Sequence, residues 1–259
     1  MKTMINTRSK FRSMAIAAII GFLASSSQSL ADVYELRTYT TNEGKLDNLN
    51  VRFRDHTVQL FKKHGMESVG YWVPTDEPKS KNTLIYVLKH KSRDAAKVSW
   101  KAFLADPEWK KVASESQKDG QILAKRPESG FMQIADYSPK FIDDKKSEGA
   151  VFELRTYRCN EGKLKNLDAR FRDHTIRIFN RFGMKSVAYW HPTNEPDSKD
   201  TLIYILRHNS RDAAKASWKS FIADKEWKKV ARESQKDGRF LRKRPESIYM
   251  KATDYSAIQ

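Results

Sequence analysis

The strongest constraint in this sequence is a duplication at a fixed offset of 118 residues. VYELRTYTTNEGKL begins at Val33 and VFELRTYRCNEGKL at Val151; RFRDHT at 52–57 returns at 170–175, TLIYVLKH at 83–90 as TLIYILRH at 201–208, and EWKKVA at 108–113 at 226–231. Of the 105 positions from 33 to 137, 71 are identical to their partners in 151–255, with no insertion. The period far exceeds the roughly 20–50 residues of solenoid repeats, so a whole domain has been duplicated. We divide the chain into repeat one (32–137), a short polar linker (138–150, SPKFIDDKKSEGA) and repeat two (151–259).

Residues 1–31 read as a signal peptide. Lys2, Arg8, Lys10 and Arg12 make a basic start, Met14–Ala24 is an apolar run of eleven, and Ser29-Leu30-Ala31 is a small-x-small cleavage site. Eleven apolar residues fall short of the roughly twenty that span a bilayer. The expectation is an exported protein, periplasmic or secreted, with no transmembrane segment once the leader is cut before Asp32. Mitochondrial import is the lesser alternative, because the central run is not amphipathic.

The remaining composition suits a packed globular protein. Six Trp, thirteen Phe and ten Tyr supply a core despite 31% charged residues. The single cysteine, Cys159, rules out an intrachain disulfide and a cysteine-based metal site. The net charge of +17 is concentrated in repeat two, where 24 basic residues face 14 acidic ones, against 18 and 15 in repeat one. Both signs are interleaved along the helices, so the excess reads as a solvated surface and no nucleic-acid partner is expected.

Within one repeat the order of elements is strand, helix, strand, strand, helix, strand. Residues 33–40 alternate as a strand. A helix over 45–64 carries the stripe Leu46, Leu49, Phe53, Leu60 and Phe61, and Gly65 ends it. Strands follow at 67–73 and 83–90. Ser92 caps a helix that buries Ala96, Trp100, Phe103 and Leu104, and Asp106-Pro107 restarts it. The last strand lies at 130–137. A βαββαβ unit with both helices on one face is the ferredoxin-like α+β solution. Its other sheet face needs a cover, and the second repeat supplies one. The expected body is therefore two tandem ferredoxin-like repeats packed sheet-to-sheet as a pseudo-dimeric α+β barrel.

The strings ELRTY, EGKL, FRDHT and LIYVLKH-SRDAA, with DPEW after them, resemble the NIPSNAP family within the dimeric α+β barrel superfamily. The resemblance spans both repeats, with small departures such as Lys225 for Pro107 and Phe152 for Tyr34. It implies the barrel architecture. The wider superfamily includes cofactor-free monooxygenases, haem peroxidases and isomerases, while eukaryotic NIPSNAP members are mitochondrial and tied to protein–protein interaction.

Several paired residues could carry chemistry. His56 and His174 fall at the spacing of the apolar stripe on the first helix of each repeat, where an imidazole facing the sheet could act as a base or as a satisfied core histidine. Arg37 and Arg155 share a strand face with Glu35 and Glu153. A guanidinium there would clamp a ligand carboxylate or close an internal ion pair. Tyr39 and Tyr157 lie on that face. Trp100 and Trp218 complete the candidate lining of one pocket per repeat. His90 and His208, at strand ends, are expected to be exposed. No metal-ligand spacing, P-loop or dinucleotide fingerprint is present, and no cofactor is expected.

The functional reading is a protein that binds or transforms a small, partly apolar molecule between sheet and helices. The alternative is a non-catalytic interaction or scaffold barrel. A small-molecule ligand, a protein partner and a further homo-oligomer are the partners in view.

Overall fold

The structure, a computed structural model, describes residues 32–141 and 149–258 together with Met1. The leader, apart from Met1, and most of the linker therefore lie outside the described residues. Eight strands form one closed antiparallel barrel: β1 (Val33–Thr40), β2 (Glu67–Pro74), β3 (Thr83–His90), β4 (Glu128–Ile134), β5 (Val151–Arg158), β6 (Lys185–Pro192), β7 (Thr201–His208) and β8 (Glu246–Ala252). The order around it is β1-β3-β2-β8-β5-β7-β6-β4, so each repeat contributes a ferredoxin-like half.

The halves join edge to edge as well as face to face. Trp72, Val73 and Pro74 of β2 pair with Ala252, Lys251 and Met250 of β8. Met132, Gln133 and Ile134 of β4 pair with Pro192, His191 and Trp190 of β6. Each seam removes an edge that would otherwise expose unpaired backbone groups.

Alternation along the strands sorts the side chains into three cores. Ile85 and Val87 of β3 point into the barrel with Tyr34, Trp72, Phe152 and Trp190, a cluster drawn from both repeats. Leu84, Tyr86 and Leu88 point outward onto the helices of repeat one. Repeat two has its own outer cluster around Phe171, Tyr189 and Tyr204. The linker is not wholly solvated: Phe141 packs on Tyr34 and Trp190, with ring centroids 5.7 and 6.1 Å away.

The outer helices are α1 (Leu46–Arg52), α2 (Val58–Lys63), α3 (Arg93–Ala105) and α4 (Pro107–Glu115) in repeat one. Their counterparts in repeat two are α5 (Leu164–Arg170), α6 (Ile176–Arg181), α7 (Arg211–Ala223) and α8 (Lys225–Ser234). Ser92 and Asp106 cap α3 and α4 as expected, accepting from the amides of Ala95 and Glu108. Leu104 departs from expectation: it is exposed on α3, and Phe103 alone enters the core from that turn.

The stretch read as one regular helix contains a π-helical turn, Phe53–Thr57 between α1 and α2, repeated at Phe171–Thr175. Such a turn inserts one extra residue into the helical register. The inward position after Phe53 therefore falls on Thr57 rather than His56. Thr57 is buried, and its hydroxyl donates to the Arg52 carbonyl at 3.1 Å. His56 and His174 are rotated outward and exposed, which corrects the expectation that they face the sheet.

Candidate functional site

Two constellations occupy the space between sheet and helices of each repeat. The first is a buried polar cluster around Glu35. Its Oε1 accepts from Arg37 Nη1 and from Ser129 Oγ, both at 2.5 Å. Its Oε2 accepts from Trp100 Nε1 at 2.8 Å and pairs with His90 Nε2 at 3.1 Å. Repeat two builds the same set from Glu153, Arg155, Ser247, Trp218 and His208. An ionised carboxylate can only accept, so Nε2 of each histidine carries the shared proton.

Glu35 and His90 are each 1% exposed. Strand β3 alternates, so His90 follows Leu84, Tyr86 and Leu88 onto the helix-facing side. This corrects the expectation that His90 and His208 are exposed. Burial alone would push the Glu35 carboxyl up. Its hydrogen bond with His90, the Arg37 charge and the Ser129 and Trp100 donors outweigh that and hold it at about 2, and Glu153 likewise. Arg37 also lies over the Trp100 ring at 4.3 Å. Arg37, Trp100, Arg155 and Trp218 thus form internal clusters with every carboxylate oxygen engaged.

The second constellation is a cleft. In repeat one it measures about 290 Å³ and is walled by Tyr39, Phe53, Phe61, Phe103, Trp109 and Leu123, with Arg52, Thr57, Gln117, Gln121, Lys125 and Arg126 as polar members. The matching cleft of repeat two, about 280 Å³, has Tyr157, Phe171, Phe179, Phe221, Trp227 and Leu241, with Arg170, Thr175, Gln235 and Arg239. Of the residues singled out from the sequence, only Tyr39 and Tyr157 line these clefts. His56 and His174 lie instead in outer grooves beside α4 and α8, with Glu115 or Glu233 across from them. Arg52 and Arg170 border both the cleft and the groove of their repeats.

Sequence reasoning missed these two arginines. Arg52 stands three residues after Leu49, on the face of the apolar stripe, and the second copy keeps an arginine there. That placement was the available signal.

Cys159 is fully buried beside the second cleft, and burial pushes its thiol up to about 12. The folded protein at pH 8 is therefore expected to resist iodoacetamide and to take up one equivalent once unfolded. Rapid labelling of the native chain, read by intact mass, would contradict this burial. Among the described residues no group of three His, Cys, Asp or Glu converges as a metal set, and no helix is long and apolar enough to cross a membrane.

Comparison with known proteins matches the NIPSNAP family model to residues 34–139 and again to 152–257. The chain belongs to the NIPSNAP family. A Dictyostelium discoideum NipSnap homolog is 30% identical over 134 residues, and the match covers 51% of each chain, so this protein spans about half the length of that curated relative. Among solved structures, a Fusobacterium nucleatum protein provisionally named a monooxygenase is 12% identical, with a TM-score of 0.52 over 86% of this chain and 92% of its own. A Lactobacillus acidophilus protein with the same provisional name is 10% identical, with a TM-score of 0.50 over 86% and 94%. At these identities both establish a shared fold. The tandem NIPSNAP chain therefore closes within one polypeptide an architecture of the dimeric α+β barrel type.

Proposed function

We propose that this NIPSNAP protein binds one small, partly apolar molecule in each cleft between sheet and helices. The observation that carries the reading is the pair of matching clefts, rebuilt from corresponding aromatic residues in both repeats and close to the lower limit of the roughly 300–1,000 Å³ typical of small-molecule sites. A scaffold barrel has no need of two such aromatic recesses. The groups lining them suit binding and orientation: phenols, amides, a threonine and basic side chains. The export reading of residues 1–31 would place this binding outside the cytoplasm.

Native mass spectrometry of the full chain with indole as probe tests the reading. Up to two bound molecules per chain are expected. Leu123→Trp fills the first cleft and is expected to remove one of them, and Leu241→Trp the other. Absence of indole binding, or binding that ignores both substitutions, would contradict the proposal.

A further inference from the structure

Arg37 and Arg52 of repeat one differ in one respect, as do Arg155 and Arg170 of repeat two. Arg37 has the Glu35 carboxylate. Arg52 has none. It is only 5% exposed, yet the single hydrogen bond of its guanidinium among the described residues is to Ser116 Oγ, at 3.3 Å, and its Nε is buried with no partner at all. Arg170 repeats this at 7% exposure, with Ser234 Oγ at 3.5 Å and an unpartnered Nε. The remaining support is aromatic: the Arg52 guanidinium lies 5.3 Å from the Trp109 ring, and that of Arg170 5.1 Å from Trp227 and 4.7 Å from Phe240.

A charge held away from water needs a counter-charge or carries a large desolvation penalty. Both arginines border a cleft whose walls are mainly phenylalanine, tryptophan, tyrosine and leucine, with a threonine and glutamines inside and the exposed Lys125 and Arg126, or Arg239, at its edge. The missing carboxylate can therefore arrive with the ligand. A guanidinium offers two parallel N–H donors that match a planar carboxylate, and the aromatic walls suit an apolar body behind it.

Resting on the cleft reading above, we propose that Arg52 and Arg170 are the anion-recognising residues of the two clefts and that the ligand is a small carboxylic acid with an aromatic or branched apolar body. The arginine is the fixed polar anchor, the aromatic wall sets the shape, and Thr57 and Gln117, or Thr175 and Gln235, lie within the same recess.

The test uses the full chain with phenylacetate and its neutral isostere phenylacetamide, read by chemical-shift perturbation of cleft residues. Phenylacetate is expected to bind at least about tenfold more tightly than the amide, the ratio of a charge-assisted to a neutral contact. In the double variant Arg52→Met, Arg170→Met the acid's advantage is expected to vanish while the amide still binds. Arg52→Lys with Arg170→Lys should keep part of the preference, since the charge remains and the fork is lost. Without ligand, the methionine variant is expected to melt at or above the wild-type temperature, because it removes an uncompensated charge. A purely structural arginine would instead lower the melting temperature. Equal affinity for acid and amide, or an acid preference that survives Arg→Met, overturns the anion proposal and leaves the clefts as neutral sites. Failure of both probes to perturb the cleft residues, with indole also unbound, overturns both readings together.

Discussion

Replacing Glu35 by glutamine is expected to lower the unfolding free energy by about 3–5 kcal/mol, the usual cost of stranding one member of a buried ion pair. The side chain keeps its size, so the loss is electrostatic. Arg37 would remain buried at the sheet with no counter-charge. The glutamine NH2 would also turn its N–H groups either on Arg37 and Ser129 or on Trp100 and His90, which now meet the oxygen it replaces. Glu153→Gln should behave alike in repeat two, because its partners are the same.

The same carboxylates set the acid limb of stability. Both are held at about 2 against an ordinary 4.5. Their pKa is depressed in the folded state, so their contribution is complete above about pH 5.5 and fades as pH falls through 4.5 toward 2. At about 1.36 kcal/mol per pH unit, each shift corresponds to about 3 kcal/mol. Urea denaturation of wild type between pH 6 and 3 should show the decline, and the Glu35→Gln, Glu153→Gln double variant should be much flatter over that range. A variant within 1 kcal/mol of wild type at pH 7, together with an unchanged acid slope, would show that these clusters contribute little.

The second large effect concerns the barrel interior. Trp72→Ala is expected to cost about 3–5 kcal/mol, as removal of a large buried aromatic does. Trp72 is fully buried, and its ring meets Phe152 of the other repeat with centroids 5.7 Å apart. Tyr34 meets Trp190 across the same interior at 5.9 Å. The loss should therefore not be additive with Phe152→Ala. A double-mutant cycle is expected to return a coupling of about 0.5–3 kcal/mol, in the range for residues in contact. Additivity within about 0.3 kcal/mol would mean that the two side chains do not share a core.

Much of this architecture can be read from the repeat and from strand alternation. A βαββαβ unit covers one face of its sheet with helices, and a gapless second copy is the economical cover for the other. The Glu35–Arg37 pair was legible too, since two charges on one face of a buried strand require partners. Two features escaped for definite reasons. The π-turn at Phe53–Thr57 shifts the helical register by one residue, and no 3.6-residue periodicity reveals it. Regular 3.6-residue spacing therefore puts His56 on the sheet-facing stripe that Thr57 occupies. A place at the strand end suggests exposure for His90, whereas its face is closed by α3 through Trp100. Arg52 is not evident from sequence because a charged residue beside an apolar stripe is ordinarily a helix-flank residue reaching solvent. Only the enclosing turn of α4, through Ser116 and Trp109, shows it to be internal.

The central claim is that the two repeats are one closed body, sharing an interior and two strand seams. Native-state hydrogen exchange on Trp72→Ala, resolved strand by strand, tests it most directly. A single barrel predicts that amides of β5 and β7 in repeat two lose protection by about as much as those of β1 and β3 in repeat one. If repeat two kept wild-type protection while repeat one opened, the halves would be independent domains and the closed barrel would be wrong.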